Sequence, residues 1–122
     1  MVRIPKAERR PKKLSAAFYE TAAGAQPVRE WLLGMSDDDR KIIGDDIATA
    51  EFGWPVGMPV CRPMGGGLFE LRSHLAGNRI ARVLFCTTKG QLVLLHGFEK
   101  KTRKTPASEL ALAKKRMKEI EE

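Results

Sequence analysis

The chain has 122 residues, which is the size of one ordinary domain and excludes a two-domain enzyme. Hydrophobic residues make up 43% of it, enough for a buried core, so disorder over the whole chain is excluded. The formal net charge of +7 predicts attraction to acidic or phosphate-rich partners. No apolar run approaches the roughly 18 residues of a membrane helix, so we expect a cytoplasmic protein with no membrane partner.

The charge is distributed unevenly along the chain. Residues 1–13 carry six basic residues against one acid, together with two prolines, and predict a flexible basic arm before a single domain at residues 14–122. Residues 20–59 have a net charge of −5, and basic residues return between residues 100 and 118. We therefore expect the chain ends to meet a polyanion and the acidic stretch to face away from it.

The first half of the domain predicts one strand followed by two helices. Alternating side chains at residues 14–19 indicate the strand. Pro27 is a favoured first helical residue, and apolar residues at helical spacing follow it. Ser36, with Asp39 three residues later, resembles a capping box and begins a second helix that ends near Gly53.

After Gly53, proline and glycine residues exclude helix until the C-terminal segment. Thr105 can cap the final helix and Pro106 can open it. Four further strands, joined by turns into an antiparallel meander, are predicted at residues 60–64, 68–74, 79–88 and 91–98. The predicted fold class is α+β, with a small antiparallel sheet, two N-terminal helices packed on it and a C-terminal helix.

Charged side chains interrupt strand faces that are otherwise apolar. Glu70 and Arg72 share one face, Arg82 lies on an apolar face of the next strand, and His96 follows Leu92 and Leu94 on a third. A wet sheet face with a Glu70–Arg72 surface pair is the simpler explanation for the first strand. Convergent basic groups from three strands favour a phosphate groove, whereas a lone histidine is more often structural.

The basic segment between His96 and Pro106 joins a strand end to a helix start. Backbone N–H groups and lysines can bind a phosphate there, and a solvated loop is the alternative. Phe98 either stacks on a base or lies in the core. A metal-free ribonuclease would use the 2′-OH as nucleophile, basic side chains to stabilise the phosphate charge and one side chain as the acid.

Other chemistries lack their motifs. The three glycines at 65–67 match neither a P-loop nor a dinucleotide site and predict a hairpin loop. Cys61 and Cys86 form no CxxC motif and suit a reducing compartment. The aspartates at 37–39 suit a helix start better than a metal site. We therefore expect no metal ion and no cofactor.

A series of short motifs runs through residues 14–118. The motifs are PVREWL at 27–32, EFGWP at 51–55, LFELR at 68–72, RIARVLF at 79–85, and LLHGF at 94–98, followed by Lys100, Lys101 and KTP at 104–106. In this order they resemble the phage-derived HigB-like branch of the RelE/ParE toxin superfamily. The resemblance implies a RelE-like domain over residues 14–122.

The resemblance also implies a function. It implies the toxin of a type II toxin–antitoxin system, an mRNA endoribonuclease that is ribosome-associated and metal-independent and that inhibits translation. The implied partners are mRNA, the ribosome and a HigA-like helix-turn-helix antitoxin, whose acidic side chains we expect to meet residues 100–116. The alternative is a ParE-like inhibitor of DNA gyrase without enzymatic activity.

Basic residues at the motif positions are the candidate site. Some RelE relatives use a C-terminal tyrosine as the acid, but the single tyrosine here is Tyr19, so His96 or a lysine would replace it. Arg82 is expected to be a surface arginine whose loss leaves folding nearly intact. The predicted catalytic residues are Arg72, Arg82, His96, Lys100 and Lys104. The predicted RNA-binding residues are Arg79, Phe98, Lys101, Arg103, Lys114 and Arg116.

Overall fold

The computed structural model describes residues 12–99 and 104–121. Its helices are α1 (Pro27–Leu33), α2 (Asp37–Gly53) and α3 (Ala107–Glu121). Its strands are β1 (Ser15–Phe18), β2 (Cys61–Gly65), β3 (Leu68–Leu75), β4 (Arg79–Thr88) and β5 (Gln91–Glu99). The predicted helices and strands are thus present close to their predicted bounds, because local signals mark their ends. The hydroxyl of Ser36, for example, accepts from the Asp39 N–H at 3.2 Å and caps α2 as predicted.

The five strands form one sheet in the order β1-β5-β4-β3-β2. Strands β2 to β5 are antiparallel neighbours, whereas β1 pairs with β5 in parallel, from Ser15 opposite Gln91 to Phe18 opposite Leu94. The predicted small antiparallel sheet is therefore wrong, and the sheet is mixed. Turn residues indicate the direction of strands joined by hairpins, but β1 reaches β5 only after two helices and three strands, so no local signal indicates its direction.

Helices cover both faces of the sheet. Helices α1 and α2 pack on the face that carries Leu71, Val83 and Leu92, which we call the α1–α2 face. Helix α3 packs on the opposite face, against Leu84 and Leu95, and we call this the α3 face. The simpler explanation for the charged strand residues, a sheet face exposed to solvent, is therefore wrong, since a helix lies over each face of the sheet.

A β-bulge in β5 changes which face its side chains meet. Leu94 pairs with Phe85, but His96 pairs with Leu84, so Leu95 is an additional residue in β5. Directly paired residues share a face. His96 therefore joins Leu84 on the α3 face, although simple alternation would have placed it with Leu92 and Leu94 on the α1–α2 face.

Gly97, next to this bulge, allows α1 to approach the sheet closely. A Cβ atom built on Gly97 would lie 2.4 Å from Cε3 and Cζ3 of Trp31. We therefore expect Gly97→Ala to displace Trp31 and to lower the free energy of unfolding by about 1–3 kcal/mol, as for other overpacked cores. Urea denaturation measures this loss. Gly44→Ala is the control, because a Cβ at that helical position meets nothing within 4 Å, and unchanged stability of Gly97→Ala would contradict the close approach.

Candidate functional site

A group of polar residues lies within the apolar layer beneath α3. The group consists of Glu70 and Arg72 of β3, Arg82 of β4, and Thr105, which precedes α3. We call it the arginine cluster. Arg72 and Arg82 are directly opposite in the β3–β4 register, which brings two predicted site residues together. Glu70 and Arg82 are fully buried and Thr105 is nearly so, whereas the Arg72 side chain keeps 18% of its surface exposed.

Thr105 links Glu70 and Arg82 through hydrogen bonds. The Thr105 hydroxyl donates to Glu70 Oε2 and accepts from Arg82 Nη1 at 3.4 Å. Arg72 Nε lies 3.8 Å from Glu70 Oε1, which is an ion pair but too long for a hydrogen bond. Among the described residues, neither of these two atoms has a hydrogen-bond partner. Thr105 thus fastens the segment before α3 to the sheet through a buried carboxylate.

Positive charge exceeds negative charge around Glu70. Burial lowers the pKa of Arg82, the Glu70 carboxylate opposes that effect, and the neighbouring guanidinium groups of Arg72 and Arg62 lower the pKa further. Arg82 is therefore influenced by two other guanidinium groups and by only one carboxylate. Such an excess of guanidinium groups is suited to a further anion, and a phosphate matches the forked geometry of arginine.

An open groove adjoins the arginine cluster. Its volume is about 410 Å³, and its walls are formed by Arg62, Met64, Lys104, Thr105 and Leu110. We call it the arginine groove. Arg62 and Lys104 are exposed at its sides, and Thr105 belongs to both the groove and the cluster. A ligand in the groove would therefore meet positively charged side chains and the edge of a preformed polar network.

The expectation that Arg82 is a surface arginine is wrong. Its relative exposure is 0%, because α3 and the segment before it cover this part of β4. Four described basic residues lie around Glu70. Three of them retain exposure, namely Arg62, Arg72 and Lys104, whereas Arg82 does not. Arg82 can therefore act through Glu70 and Thr105, whereas the other three can contact a ligand directly.

His96 and Phe98 lie beside the arginine cluster. Phe98 is directly opposite Arg82 in the β4–β5 register, and its ring stacks on the His96 ring with centroids 5.5 Å apart. Nε2 of His96 contacts a carboxylate oxygen of Glu109 in α3, and the His96 side chain is 17% exposed. The bulge in β5 thus places His96, the predicted acid, on the same face of the sheet as the arginine cluster, where Glu109 contacts it.

Two predicted RNA-binding residues form contacts within the fold instead. Arg79 lies on the α1–α2 face, where its guanidinium donates to both carboxylate oxygens of Asp39 at 2.9 and 3.0 Å. It also pairs with Glu99 at 3.1 Å. Arg116 donates to the Leu95 carbonyl at 2.8 Å and fastens α3 to β5. The structure does not bring these two arginines to the arginine groove.

Tyr19 also contacts α3. It is buried, its ring lies 5.2 Å below the Arg116 guanidinium, and its hydroxyl donates to Glu119. This hydrogen bond, together with burial, raises the pKa of Tyr19. Tyr19 therefore belongs to the packing of α3.

The remaining predicted positions are of two kinds. Lys114 is exposed on α3, beside a second groove described below. Lys100, Lys101 and Arg103 lie outside the described residues. Of the predicted basic arm, Lys12 and Lys13 are described, and Nζ of Lys12 lies 3.1 Å from the Glu51 carboxylate.

Sequence reasoning missed three parts of this site. Arg62 was not singled out, since it stands alone in a weak strand. Thr105 was interpreted only as a helix cap, and Glu70 only as part of a surface pair or groove. The available signal was the presence of Glu70 and Arg82 on strand faces that are otherwise apolar, because a buried charge requires a partner.

The Arg79–Asp39 pair makes stability depend on pH. Hydrogen bonding by Arg79 lowers the pKa of Asp39 below its ordinary 3.8. A carboxyl with a lowered pKa stabilises the fold fully above the ordinary value of 3.8. This stabilisation is lost as the pH falls through the folded-state pKa. We expect Arg79→Ala to unfold at lower urea concentration than the wild type at neutral pH, with the difference shrinking below pH 3.8. Arg29→Ala, on α1, is the control. A pH-independent difference would argue against this origin.

The described residues give little sign of membrane or metal binding. None of the three helices there combines the length and apolar character that a bilayer crossing needs. No group of three or more histidine, cysteine, aspartate or glutamate side chains in the same part of the chain is placed to hold a metal ion.

The geometry defines a class of protein, namely a small α+β domain with a basic groove beside its C-terminal helix. A family model described as phage derived protein Gp49-like (DUF891) matches residues 30–118, which include the arginine cluster and most of α3. The chain belongs to this Gp49-like family. The family is toxin-like, so the broader part of the resemblance found in the sequence is confirmed. No curated protein matches the chain.

Proposed function

We propose that this toxin-like protein is an endoribonuclease that cleaves mRNA, as HigB-like members of the RelE/ParE superfamily do. The observation that carries the proposal is the arginine groove. Exposed Arg62 and Lys104 line it, and Arg72 and Arg82 lie opposite each other beside the buried carboxylate of Glu70. Basic side chains of this kind are what a reaction at a phosphodiester needs when charge stabilisation comes from the protein.

In the proposed reaction the RNA 2′-OH attacks the adjacent phosphorus, and its proton passes to solvent. Arg62, Arg72 and Lys104 stabilise the negative charge that develops on the phosphate oxygens. The bond to the 5′-oxygen breaks, and the imidazolium of His96 donates a proton to that oxygen. The products are a 2′,3′-cyclic phosphate and a 5′-hydroxyl end.

Glu70 and Arg82 are positioning residues in this proposal. Both are fully buried, so neither meets the phosphate directly. Glu70 holds Thr105 by a hydrogen bond, and Thr105 is covalently adjacent to Lys104. The buried pair therefore determines where Lys104 enters the groove relative to Arg72.

The proposed partners follow from the same resemblance. We propose that the substrate mRNA is bound on the ribosome and that a HigA-like helix-turn-helix antitoxin neutralises the protein. The basic groove supports this choice, because an acidic antitoxin surface would be attracted to the same positive charge that attracts RNA.

A 2′-deoxy substitution tests the chemistry. Purified protein should cut an mRNA segment, either free or bound to ribosomes, after the protein has been treated with a chelator. The only magnesium then added back is the amount that keeps the ribosomes intact. Replacing the 2′-OH with hydrogen at the mapped cleavage site should abolish the cut, because the proposed nucleophile is then absent. Primer extension locates the new 5′ ends. Undiminished cleavage of the deoxy site would reject the mechanism, and intact RNA with inhibited gyrase supercoiling would reject the ribonuclease.

A further inference from the structure

A second groove lies between the β2–β3 turn and the outer side of α3. Its volume is about 830 Å³. Met64 and the glycine turn form one wall, and Ala111 and Met117 of α3 form the other. Gly65 and Gly66 have φ angles of 93° and 64°, so this tight turn carries no side chains that would fill the space. We call this the lysine groove, after the lysines along its edge.

Three exposed lysines, Lys114, Lys115 and Lys118, form the edge of the lysine groove on α3. Lys114 and Lys118 are one helical turn apart and therefore point in similar directions. Among the described residues, none of the three forms an ion pair. The groove thus combines concentrated positive charge at its edge with an interior of methionine and alanine side chains.

The interior of the groove favours a peptide over RNA. Single-stranded RNA is held by aromatic rings on which its bases stack, and the described lining of the lysine groove contains no aromatic residue. Methionine side chains are flexible and polarizable, and they adapt to aliphatic side chains of a partner. Amphipathic helices present such side chains at positions i, i+3, i+4 and i+7.

We propose that the lysine groove binds an acidic amphipathic helix of a partner protein. Aliphatic side chains of that helix enter between Met64 and Met117, and its flanking carboxylates pair with Lys114 and Lys118. The inference names a binding surface for the partner of the proposed toxin, and in that respect it rests on the proposed function. Met64 also lines the arginine groove, so a helix seated here lies beside the proposed phosphate site.

A designed helical peptide tests this assignment with the full chain. The probe carries leucines at i, i+3, i+4 and i+7 and glutamates on both flanks, and a control peptide replaces every glutamate with lysine. Fluorescence anisotropy should show saturable binding of the glutamate probe only. Ala111→Trp should weaken this binding at least tenfold, because the indole fills the groove from an exposed helix position without changing charge. The double variant Lys114→Glu and Lys118→Glu should abolish the binding. Lys89→Glu, in the β4–β5 turn, should change it little.

The outcomes separate this inference from the proposed function. Failure of the glutamate probe to bind, or equal binding to the Ala111→Trp variant, would overturn the groove assignment. Loss of oligouridine binding in Ala111→Trp, with no peptide binding, would show an RNA surface instead and would also overturn it. RNA cleavage is measured separately on the wild type and on Ala111→Trp, and both should cleave equally. A wild type that binds the peptide in the groove but cuts no RNA would reject the ribonuclease while supporting the groove.

Discussion

Replacing Arg82 with alanine should destabilise the fold by about 3–5 kcal/mol, the usual cost when a buried charge loses a buried opposite charge that attracts it. The reason is that Glu70 and Arg82 are both fully buried. Without Arg82, the Glu70 carboxylate keeps its desolvation cost and loses one of the positive charges that compensate it. Urea denaturation monitored by tryptophan fluorescence measures the change in the free energy of unfolding.

A double substitution separates lost charge from lost packing. Glu70→Gln combined with Arg82→Met removes both charges but keeps similar volumes. The double variant should be more stable than the sum of the two single changes predicts, because neither charge is then left uncompensated. A loss below about 1 kcal/mol in Arg82→Ala, within the range for exposed positions, would contradict the buried pair.

Replacing Arg72 with alanine should reduce RNA cleavage by about 10²–10³-fold, the range for removal of one preorganised group that stabilises transition-state charge. Arg72 reaches solvent from the arginine cluster and lies opposite Arg82. Single-turnover cleavage of the mapped mRNA segment measures the effect. Arg72→Lys should recover part of the rate, since it keeps the charge but loses the forked geometry.

The matched control is Arg29→Ala, which removes the same charge from an exposed position on α1. It should cleave RNA at the wild-type rate. Thermal unfolding of both variants checks that the loss in Arg72→Ala is not a loss of folded protein. A folded Arg72→Ala variant with undiminished cleavage would remove Arg72 from the proposed mechanism.

Local signals in the sequence were enough to locate the helices and strands. Ser36 caps α2 through a hydrogen bond that spans three residues, and the three glycines at 65–67 all have positive φ in a tight hairpin. Such features depend on a few neighbouring residues. The bounds of β4 were likewise predicted from its strand-like residues and from the turns at 76–78 and 89–90 that flank it.

The arrangement of these elements depended on contacts between distant residues. Ser15 pairs in parallel with Gln91, and no turn connects the two strands directly. The bulge at Leu95 moves His96 to the α3 face, and a single additional residue in a strand leaves no composition signal. Strand alternation could therefore place Arg72 relative to Glu70 but could not place His96 relative to Arg82.

Part of the candidate site could likewise be predicted from the sequence, and part of it depended on the tertiary structure. The sequence by itself determined that basic residues stand at strand positions where apolar ones are expected, and the motif order indicated a toxin-like family that the Gp49-like match supports. Only the tertiary structure decided that Arg82 is fully buried and that Arg72 is partly exposed. Two arginines directly opposite on adjacent strands differ in this way because α3 and Thr105 cover one of them, and that cover is made by residues more than twenty positions away along the chain.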